Sequence, residues 1–433
     1  MAGGKGTRLK TVIKDIPKPM AGIQGKPVLE YQVESLKNSN ITEITIIAGY
    51  LGNAIKEYFG NGDKWGVNIS YIFEKEPLGT AGALFYLKDK IQDNFFLLFG
   101  DLLLDVDWNR FMDFHKSKNS WLTLYCHPNS HPFDSDIVLT SNNGLVTGID
   151  SKNNKRNYYY HNFVNAGIYC VYQEILNKFI KPEKMDFEKD IIGKAIPFGK
   201  VFAYKSTEYV KDMGTPSRLE AATADVRAGV VSGRSLINKQ KCVFLDRDGT
   251  INVLNGFINS VEKFELLPNA AEAIKLLNES SYLVIVATNQ PVIARGECSI
   301  DMLSQIHMKM ETKLGEAGAY LDDIYYCPHH PHKGYKGEIP ALKIECTCRK
   351  PKTGMIIEAA MRYNIDLSLS WYIGDTTTDI QTGINAGMQT ILLKTGEAGQ
   401  DAKYKVNPGY IEEDLLQAAK MILRKEEKPG GLY

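Results

Sequence analysis

Two carboxylates follow an apolar run in the second half of the chain. The run stops at Asp246, and Asp248 comes two positions later, in the sequence VFLDRDGT. A buried strand that ends in two acids is costly unless their charges are compensated, and bound Mg²⁺ would compensate them. The pattern predicts Asp246 as a nucleophile that forms an aspartyl-phosphate, and Asp248 as the group that protonates the leaving alcohol and then activates water. An ordinary acidic turn is the alternative interpretation.

Three further segments supply the other groups that such a site needs. LVIVATNQ ends in Thr288 and Asn289, a hydroxyl and an amide that can hold a phosphoryl oxygen. CRKP supplies the cations Arg349 and Lys350, and WYIGDTTTD ends a short apolar run at Asp375, a third carboxylate for the metal. Each residue alone is typical of a turn. Together, at the ends of successive strands of an α/β sheet, they predict one site.

A cluster of thiols and one imidazole predicts a structural zinc site. The candidate ligands are Cys327, His329, Cys346 and Cys348. Two tight pairs across a polar loop suit tetrahedral zinc, which would fold a loop that is poor in core residues. The neighbouring His330 and His332 are interpreted as bystanders. Free buried cysteines are the alternative, which better describes the thiols beside apolar runs, Cys126, Cys170 and Cys242.

The motifs LDRDGT, TNQ, ARG, CPHHP, CTCRKP and the Gly-Asp before Thr376 resemble the haloacid-dehalogenase phosphatase superfamily. More narrowly, they are similar to the zinc-containing D-glycero-D-manno-heptose 1,7-bisphosphate 7-phosphatases, over about residues 241–425. The resemblance implies Mg²⁺ held by Asp246, the Asp248 carbonyl and Asp375, Lys350 on the phosphoryl group, Thr288, Asn289, Arg349 and Arg295 at the substrate, and Zn²⁺ on the cysteine and histidine cluster.

Two departures from that family pattern concern the substrate pocket. Pro291 and Val292 replace a flexible Ser-Gly pair, and Thr376 replaces the usual lysine after the third acid. Both are expected to alter substrate preference, and neither removes a catalytic group. The histidinol-phosphate phosphatases share much of the pattern and are the nearest competing family.

The first half of the chain opens with a glycine-rich segment, AGGKGTRL. Gly3, Gly4 and Gly6 leave backbone N–H groups free to approach a triphosphate. Thr7 can add a hydroxyl, and Arg8 can neutralise charge on a pyrophosphate leaving group. The segment predicts a nucleotide-binding loop; a flexible N-terminal tail is the alternative.

Later segments of this half suit nucleotidyl transfer. DIPKPM holds Lys18 between prolines, FFLLFGD ends an apolar run at Asp101, and KDMGTP supplies Asp212. Two separated acids that hold Mg²⁺ on a nucleoside triphosphate fit this chemistry, in which charge neutralisation does most of the work.

Over roughly residues 2–230 these motifs resemble the sugar-1-phosphate nucleotidylyltransferases, especially guanylyltransferases that act on heptose or mannose 1-phosphate. The resemblance implies the nucleoside triphosphate on the loop from Gly3 to Arg8, Lys18 on phosphates, Gly79 and Thr80 on nucleotide or sugar, Asn165 and Gly167 on the sugar, and Mg²⁺ on Asp101 and Asp212. The family's Glu-Lys sugar contact is replaced by Ser151-Lys152 in a lengthened segment.

The first strand of this fold is expected to be missing. A strand of about six apolar residues normally precedes such a glycine loop, whereas only Met1 and Ala2 precede it here. A start codon placed at an internal methionine is the favoured explanation; a truncated or inactive half is the alternative.

The whole composition predicts a globular α/β protein of two domains. Apolar residues make up 44% of the chain, and the 51 basic residues equal the 51 acidic ones, so neither nucleic acid nor a membrane is expected as a partner. No apolar run or leader indicates a membrane span or a signal peptide, and cysteines without a pairing framework point to the cytoplasm. We expect a Rossmann-like nucleotidyltransferase domain at 1–232, a linker at 233–240, a haloacid-dehalogenase-like Rossmannoid domain with a zinc-bound loop at 241–425, and a tail at 426–433, both sheets being mostly parallel.

The two halves together predict a bifunctional enzyme. The second half would convert the heptose 1,7-bisphosphate to heptose 1-phosphate, and the first half would join that sugar 1-phosphate to a nucleotide for surface polysaccharide. GTP is the expected nucleotide on resemblance alone. The alternative is a histidinol-phosphatase-like or other sugar phosphatase joined to a non-catalytic scaffold.

Overall fold

The computed structural model of the chain describes residues 1–3 and 16–426. It divides into two compact units: the first comprises residues 1–127, 136–151 and 164–237, and the second comprises 128–135, 152–163 and the chain from 238 onward. Two short excursions from the first half of the sequence therefore belong to the second unit. Within the described ranges, no helix is both long and apolar enough to cross a membrane.

The described strands of the first unit are β1 (Gly22–Ile23), β2 (Lys26–Pro27), β3 (Glu43–Ala48), β4 (Asn68–Phe73), β5 (Phe95–Leu98), β6 (Leu102–Leu104), β7 (Leu122–His127), β8 (Ile137–Thr140), β9 (Val146–Asp150), β10 (Val164–Val171), β11 (Val201–Lys205) and β12 (Val210–Asp212). Its helices are α1 (Val28–Asn38), α2 (Gly52–Phe59), α3 (Trp108–Ser117), α4 (Glu174–Phe179), α5 (Gly193–Ala195), α6 (Pro216–Arg227) and α7 (Val230–Gly233).

The largest sheet of the first unit is mixed, which corrects the expectation of mostly parallel strands. Its order is β11-β7-β10-β8-β9, and β5 also pairs with β10. Strand β10 runs antiparallel to β5, β7 and β8, whereas β11 and β7 are parallel, as are β3 and β4 in a separate pair. The short link between β8 and β9 permits only antiparallel pairing, because a parallel crossover needs a dozen or more residues.

The first residues of the chain lie between β3 and β5. The Ala2 N–H donates to the Ile47 carbonyl at 2.8 Å, and Ala2 forms a parallel bridge with Ala48. On the other side, the Met1 ammonium donates to the Leu98 carbonyl at 2.8 Å. These residues thus occupy the place that the sequence pattern assigns to the end of the strand before the glycine loop.

The described strands of the second unit are β13 (Lys241–Leu245), β14 (Tyr282–Asn289), β15 (Asp323–Cys327), β16 (Trp371–Gly374), β17 (Gln389–Leu393) and β18 (Tyr410–Glu412). Its helices are α8 (Ala270–Asn278), α9 (Ile300–Glu316), α10 (Gly354–Arg362), α11 (Thr377–Asn385) and α12 (Leu415–Glu426).

The sheet of the second unit is wholly parallel, as the sequence pattern predicts. Its order is β15-β14-β13-β16-β17-β18, so the first strand in sequence lies at the centre and the order reverses beside it. Strands β13, β14 and β16 are almost continuously apolar because both faces of a parallel sheet are covered. The reversal point, between β13 and β16, is where ligands bind in such folds.

The two excursions pack on helix α9 within the second unit. The Tyr160 N–H donates to Thr312 Oγ1 at 3.0 Å, and His161 Nδ1 lies 2.5 Å from Glu311 Oε2. Pro132 of the other excursion covers Gly315, where a Cβ atom would lie 2.5 Å from the proline Cγ. The two excursions therefore pack against one face of this helix.

Candidate active sites

Three carboxylates meet at the reversal point of the second sheet. The Asp246 N–H donates to the Ile373 carbonyl at 3.0 Å, which ties the end of β13 to β16, and Asp375 directly follows β16. Asp379 lies in the first turn of α11. One oxygen from each of the three acids lies within 4.8 Å of the other two. The structure thus brings together two of the predicted acids and adds a third.

The acids suit a divalent cation. Asp375 Oδ1 is buried and has no hydrogen-bond partner among the described residues. Burial, and then the charges of Asp379 and Asp246, raise the pKa of Asp375 to about 8. Glycines leave this space open, since a Cβ on Gly249 or Gly396 would lie 2.2 or 2.0 Å from Asp375 Oδ2. Buried carboxylate oxygens of this kind are the ligands that Mg²⁺ prefers.

Lys350 is the cation of this cluster. Its ammonium lies 2.9 Å from Asp246 Oδ1 and 2.6 Å from Asp379 Oδ1, and the side chain is buried. Although burial opposes it, the two carboxylates raise the pKa of Lys350 well above its ordinary value. Burial and the neighbouring Asp379 charge also raise the pKa of Asp246 to about 6, with Lys350 opposing the shift.

Sequence analysis missed Asp379. Its Oδ2 accepts hydrogen bonds from the Thr376 hydroxyl at 2.6 Å and the Thr376 N–H at 3.1 Å, which closes a capping box at the start of α11. The Thr-x-x-Asp pattern of TTTD is the signal that could have found it. Thr376, noted as a departure from the family pattern, therefore orients an acid of the site.

Thr288 and Asn289 lie at the end of β14, as predicted, but their contacts differ from the expectation. Asn289 Oδ1 accepts from the Lys350 N–H at 3.0 Å, and its Nδ2 donates to the Lys350 carbonyl at 3.3 Å. Both polar atoms of the amide therefore hold the lysine backbone. Thr288 Oγ1 accepts from Gln290 Nε2 at 3.1 Å. Asp248 lies outside the three-acid cluster and contacts Arg247, Gln290 and Asn252.

The four predicted zinc ligands converge. The sulfur–sulfur distances are 3.6 Å for Cys327 to Cys346 and 3.3 Å from Cys348 to each of them. His329 Nδ1 lies 3.3 Å from the Cys348 sulfur and 3.7 Å from the Cys327 sulfur. Zinc–sulfur bonds of about 2.3 Å give tetrahedral edges of about 3.8 Å, so the cluster needs only a slight expansion to hold zinc.

The nucleotide loop of the first unit lies mostly outside the described residues, which leave out Gly4, Gly6, Thr7 and Arg8. Gly3 is described, and a Cβ there would lie 2.3 Å from Glu74 Oε2. Near it, Lys18 Nζ lies 2.9 Å from Asp101 Oδ2, and both side chains are partly exposed. These two predicted residues thus form an ion pair.

Asp212 is paired with a cation that the sequence did not single out. Arg218 Nη1 lies 2.7 Å from Asp212 Oδ1 and 2.5 Å from Oδ2, and the Gly214 N–H donates to Oδ1 at 2.9 Å. Its strand neighbour β6 follows Asp101 directly, and the Met213 N–H donates to the Asp101 carbonyl at 2.8 Å. Asp101 and Asp212 are therefore tied through the backbone, while their carboxylates bind Lys18 and Arg218.

Gly79 and Thr80 pack against a distant segment of the first unit. Gly79 has φ of +78°, and a Cβ there would lie 2.3 Å from the Met185 carbonyl oxygen. Thr80 Oγ1 accepts from the Phe187 N–H at 2.7 Å. Only glycine fits at 79, and the hydroxyl of Thr80 has a structural partner.

Asn165 and Gly167 form a local network with an unforeseen acid. Asn165 Nδ2 donates to Glu188 Oε1 at 2.9 Å and to the Tyr169 hydroxyl at 2.7 Å, while its Oδ1 accepts from the Gly167 N–H at 3.3 Å. Burial, and then the charges of Asp136 and Asp186, raise the pKa of Glu188. The Asn165 amide therefore orients Glu188, a group with lone pairs to offer a sugar hydroxyl.

Comparison with known proteins decides the family of each half. The nucleotidyl transferase family model matches residues 1–229, and a HAD-hydrolase-like model matches residues 347–418. D-glycero-beta-D-manno-heptose-1,7-bisphosphate 7-phosphatase of Pasteurella multocida (strain Pm70) is 38% identical over 185 residues, which are 42% of this chain and 97% of that protein. This chain belongs to the nucleotidyl transferase family and, in its second half, to the heptose-bisphosphate phosphatases.

Solved structures are similar to each half of this transferase–phosphatase chain. HddC from Yersinia pseudotuberculosis is 27% identical and covers 52% of this chain and 96% of its own, with a TM-score of 0.45. D,D-heptose 1.7-bisphosphate phosphatase from B. bronchiseptica, complexed with magnesium and phosphate, is 34% identical and covers 43% of this chain and 99% of its own, with a TM-score of 0.38. The family model and the similar phosphatases confirm both resemblances at the level of the family. We call the two units the transferase unit and the phosphatase unit.

Arg295 of the phosphatase unit lies between two aromatic rings. Its guanidinium carbon is 4.3 Å from the centroid of Phe257 and 4.6 Å from that of Tyr335. Its Nη2 is 3.5 Å from His330 Nε2, and its Nε is buried with no partner among the described residues. The guanidinium is thus stacked between two rings and has one buried donor without a partner among the described residues.

Two more cations lie near Arg295 and form with it the cation cluster, Arg295, Lys343 and Arg349. Burial lowers the pKa of His330, and the charges of Arg349, Arg295 and Lys343 lower it further. Lys343 is buried, with its ammonium 4.5 Å from the Tyr335 centroid and 3.4 Å from Glu338 Oε2. Glu338 pairs with Lys343, and Arg349 helps to lower the pKa of Glu345, so the cations are partly compensated; His330, interpreted as a bystander for zinc, lies beside this cluster.

The loop between the two pairs of predicted zinc ligands fixes the segment that carries Arg295. The Ile339 N–H donates to the Ala294 carbonyl at 3.0 Å. Gly296 has φ of +74°, and a Cβ there would lie 1.9 Å from the Gly337 carbonyl oxygen. Arg349, directly after Cys348, donates from Nη1 to the His329 carbonyl at 3.1 Å. The phosphatase unit thus ties the predicted zinc ligands to the cation cluster.

Proposed function

We propose that this enzyme removes the 7-phosphate of D-glycero-D-manno-heptose 1,7-bisphosphate and then joins the heptose 1-phosphate to a nucleotide, releasing pyrophosphate. The observation that carries the proposal is the buried cluster of Asp246, Asp375, Asp379 and Lys350 in a chain whose other half belongs to the nucleotidyl transferases. A phosphatase that removes the distal phosphate leaves a sugar 1-phosphate, which is what the transferase half would consume. Heptose suits both halves, whereas histidinol phosphate suits only the second.

The proposed phosphatase chemistry needs two proton transfers and one covalent intermediate. A carboxylate oxygen of Asp246 attacks phosphorus, the bond to the sugar oxygen breaks, and Asp248 gives that oxygen its proton. Asp248 then takes a proton from water as the water attacks the aspartyl-phosphate, which releases phosphate and restores Asp246. Lys350 would hold the phosphoryl oxygens. Mg²⁺ on Asp246, Asp375 and the Asp248 carbonyl would supply charge neutralisation.

The cation cluster supports a bisphosphate as substrate. Lys350, which contacts Asp246 and Asp379, would bind the reacting phosphate. Arg295 and Arg349 are separate cations, and Arg295 Nε is a buried donor with no partner among the described residues. They would bind the phosphate that remains at position 1. Zn²⁺ on the four converging ligands would be structural, since four protein ligands leave no open position for water.

The transferase chemistry requires charge neutralisation on a triphosphate. Asp101 and Asp212 would hold Mg²⁺, while Lys18 and Arg218, which pair with them here, would move to the phosphates as the metal takes over their carboxylates. Asn165 and Glu188 would contact the sugar. GTP is the nucleotide that we propose, from the motif resemblance, and we place the pathway in the cytoplasm, in the service of surface polysaccharide.

A coupled assay tests the whole proposal. The full chain receives heptose 1,7-bisphosphate, Mg²⁺ and each nucleoside triphosphate in turn, and phosphate and pyrophosphate are followed separately. We expect phosphate release without any nucleotide, and pyrophosphate release that requires both the sugar product of the first step and GTP. Phosphate without pyrophosphate under every nucleotide would leave a phosphatase on a scaffold. Faster hydrolysis of histidinol phosphate would overturn the sugar assignment.

A further inference from the structure

Arg247, which lies between the two catalytic acids in sequence, contacts both of them. Its backbone N–H donates to Asp246 Oδ1 at 2.7 Å. Its Nη2 lies 2.9 Å from each Asp248 oxygen, and its Nε lies 3.1 Å from Oδ1. The side chain is completely buried, whereas that of Asp248 is 22% exposed. The guanidinium therefore holds Asp248 from the interior side and leaves its other side toward solvent.

The burial of this guanidinium demands an explanation. An arginine cannot lose its proton, so its charge stays in the interior and is costly unless paired and hydrogen-bonded. Asp248 is the carboxylate that binds it in the forked geometry typical of strong arginine pairs. Replacing a whole buried ion pair by apolar residues is often neutral or stabilising in other proteins, so the pair is weak evidence for a purely stabilising role.

Neighbouring side chains hold the pair in one arrangement. Gln290 accepts from Arg247 Nη2 at 3.0 Å through Oε1 and donates to Asp248 Oδ2 at 2.9 Å through Nε2. His307 Nε2 lies 3.3 Å from Arg247 Nη1. Because arginine only donates, Nε2 accepts and the imidazole is neutral; burial, and then the charges of Arg247 and His161, lower the pKa of His307 accordingly.

We propose that Arg247 is a positioning residue that fixes the Asp248 carboxyl group for proton transfer to the leaving oxygen, with His307 fixing Arg247 in turn. The inference rests on the proposed phosphatase function. In the first step Asp246 forms a bond to phosphorus, the phosphorus–oxygen bond of the ester breaks, and the departing oxygen takes the proton of Asp248. A misplaced Asp248 slows this step in proportion to how much the leaving group needs the proton.

Leaving groups of different basicity separate positioning from structural damage. A sugar alkoxide needs protonation, whereas p-nitrophenolate leaves without it. We expect Arg247→Met to lower kcat/KM for heptose 1,7-bisphosphate by about 100-fold, within the range of general acid catalysis, and for p-nitrophenyl phosphate by less than about fivefold. Arg247→Lys keeps the charge without the fork and should fall between. Equal losses on both substrates would overturn the proposal.

A second variant covers the case in which Arg247→Met does not fold. His307→Leu removes the acceptor from Arg247 without touching Asp248, and His307→Gln restores one. We expect the leucine variant to show the same substrate-selective loss, smaller in size, and the glutamine variant to recover most of it. Loss on both substrates, or on neither, with the leucine variant would count against the proposal.

Two controls separate this test from the proposed function. Arg362→Met makes the same chemical change at a guanidinium outside the site, which pairs with Asp323 at 3.6 Å. Hydrolysis of heptose 1,7-bisphosphate and of p-nitrophenyl phosphate should both persist in this variant. Wild-type protein that hydrolyses neither phosphate ester would refute the phosphatase assignment itself, whereas active wild-type protein with a non-selective Arg247→Met loss would refute only the positioning role.

Discussion

The ammonium of Lys350 lies 2.9 Å from Oδ1 of Asp246, the carboxylate that would attack phosphorus. A second contact, 2.6 Å to Asp379, keeps the lysine in place. The buried lysine both lowers the cost of ionising the nucleophile and offers positive charge to the incoming phosphate. Its backbone is held by the Asn289 amide at the end of β14, so two strand ends of the sheet fix the proposed nucleophile and its cation together.

Replacement of Lys350 by methionine should abolish phosphatase activity and spare the transferase. Without the cation, the pKa of Asp246 rises further, so less of the nucleophile is ionised at neutral pH. We expect at least a 100-fold fall in the rate of phosphate release, roughly the effect of losing a preorganised charge, with pyrophosphate release from added heptose 1-phosphate unchanged. Lys352→Met is the matched control, since Lys352 is half-exposed and pairs with Glu345. Near-normal phosphate release by Lys350→Met would contradict the assignment.

The three-acid cluster should lower the stability of the metal-free phosphatase unit and should be needed for binding of Mg²⁺. Burial and the neighbouring acids raise the pKa of Asp375 to about 8, so keeping it ionised at neutral pH costs stability when no metal is bound. We expect Asp375→Asn to raise the melting temperature of the phosphatase unit in EDTA and to lose activity. Wild-type protein, but not the variant, should gain about 2.7 kcal/mol at a Mg²⁺ concentration about 100 times its Kd. Equal stabilisation of both proteins by Mg²⁺ would place the metal elsewhere.

Zinc should be needed by the phosphatase alone. Cys346→Ser removes one of four converging ligands, and the loop that supports Arg349 would loosen. We expect zinc content to fall from about one equivalent to less than about half, phosphate release to fall with it, and pyrophosphate release to persist. Cys298→Ser changes another buried thiol of the same unit, outside the cluster, and should keep its zinc. Full zinc content in Cys346→Ser would refute the four-ligand site.

Local signals account for most of what the sequence predicted in the phosphatase site. Asp246 and Asp375 each end an apolar run, and parallel strands place such ends at the same edge of the sheet, here on the neighbouring strands β13 and β16. The predicted zinc ligands come in two pairs, each with a spacing of two residues, so each pair is recognisable from a short segment of sequence. Asp379 was missed although its capping pattern is also local. The parallel sheet followed from continuous apolar strands.

What the sequence could not predict depends on contacts between distant residues. The burial of Arg247 depends on His307, sixty positions away, which no periodicity connects to it. Asn289 has the right position for a phosphoryl ligand, yet its amide binds the Lys350 backbone. The pairing of Asp212 with Arg218 is an exception, because these residues are only six positions apart and no motif marks the contact.

A buried carboxylate should make the stability of the transferase unit depend on pH. Burial raises the pKa of Glu208 from 4.5 to about 7, against four hydrogen bonds that lower it. Because the pKa of Glu208 is higher in the folded protein than in the unfolded chain, the stabilising contribution of Glu208 is complete below pH 4.5. It is lost as the pH rises through about 7. The difference corresponds to roughly 3 kcal/mol. Glu208→Gln should remove this pH dependence, because an amide does not ionise. The amide fits the site, since the Glu208 Oε1 accepts from the Asp107 and Leu236 N–H groups and the partners of Oε2 are hydroxyls.

The measurement is thermal unfolding of both proteins between about pH 5 and pH 8, the range that spans the raised pKa. We expect Glu208→Gln to melt at a higher temperature than wild-type protein at the alkaline end and at a similar temperature at the acidic end. Glu208→Leu, which removes every acceptor from these donors, should be less stable at all pH values. Parallel pH profiles for wild type and Glu208→Gln would show that Glu208 does not titrate in this range.

The contacts that the two excursions make with α9 should stabilise the phosphatase unit. Thr312 both accepts from the Tyr160 N–H at 3.0 Å and donates to the Tyr160 carbonyl at 3.2 Å, so Thr312→Val strands two backbone groups. We expect it to lower the free energy of unfolding by about 1–3 kcal/mol, and His161→Ala to lower it by less, since His161 is half-exposed. Because Tyr160 and His161 are neighbours on one segment, the double variant should lose less than the sum of the two single losses.

Denaturant unfolding of the single and double variants measures these losses. Ser304→Ala is the mild control, because the Ser304 hydroxyl lies on the same helix and only 3.4 Å from His161 Nε2, at the long end of hydrogen bonding. It should leave the free energy of unfolding nearly unchanged. An unchanged unfolding curve for Thr312→Val would mean that the excursion is not held on the helix in solution.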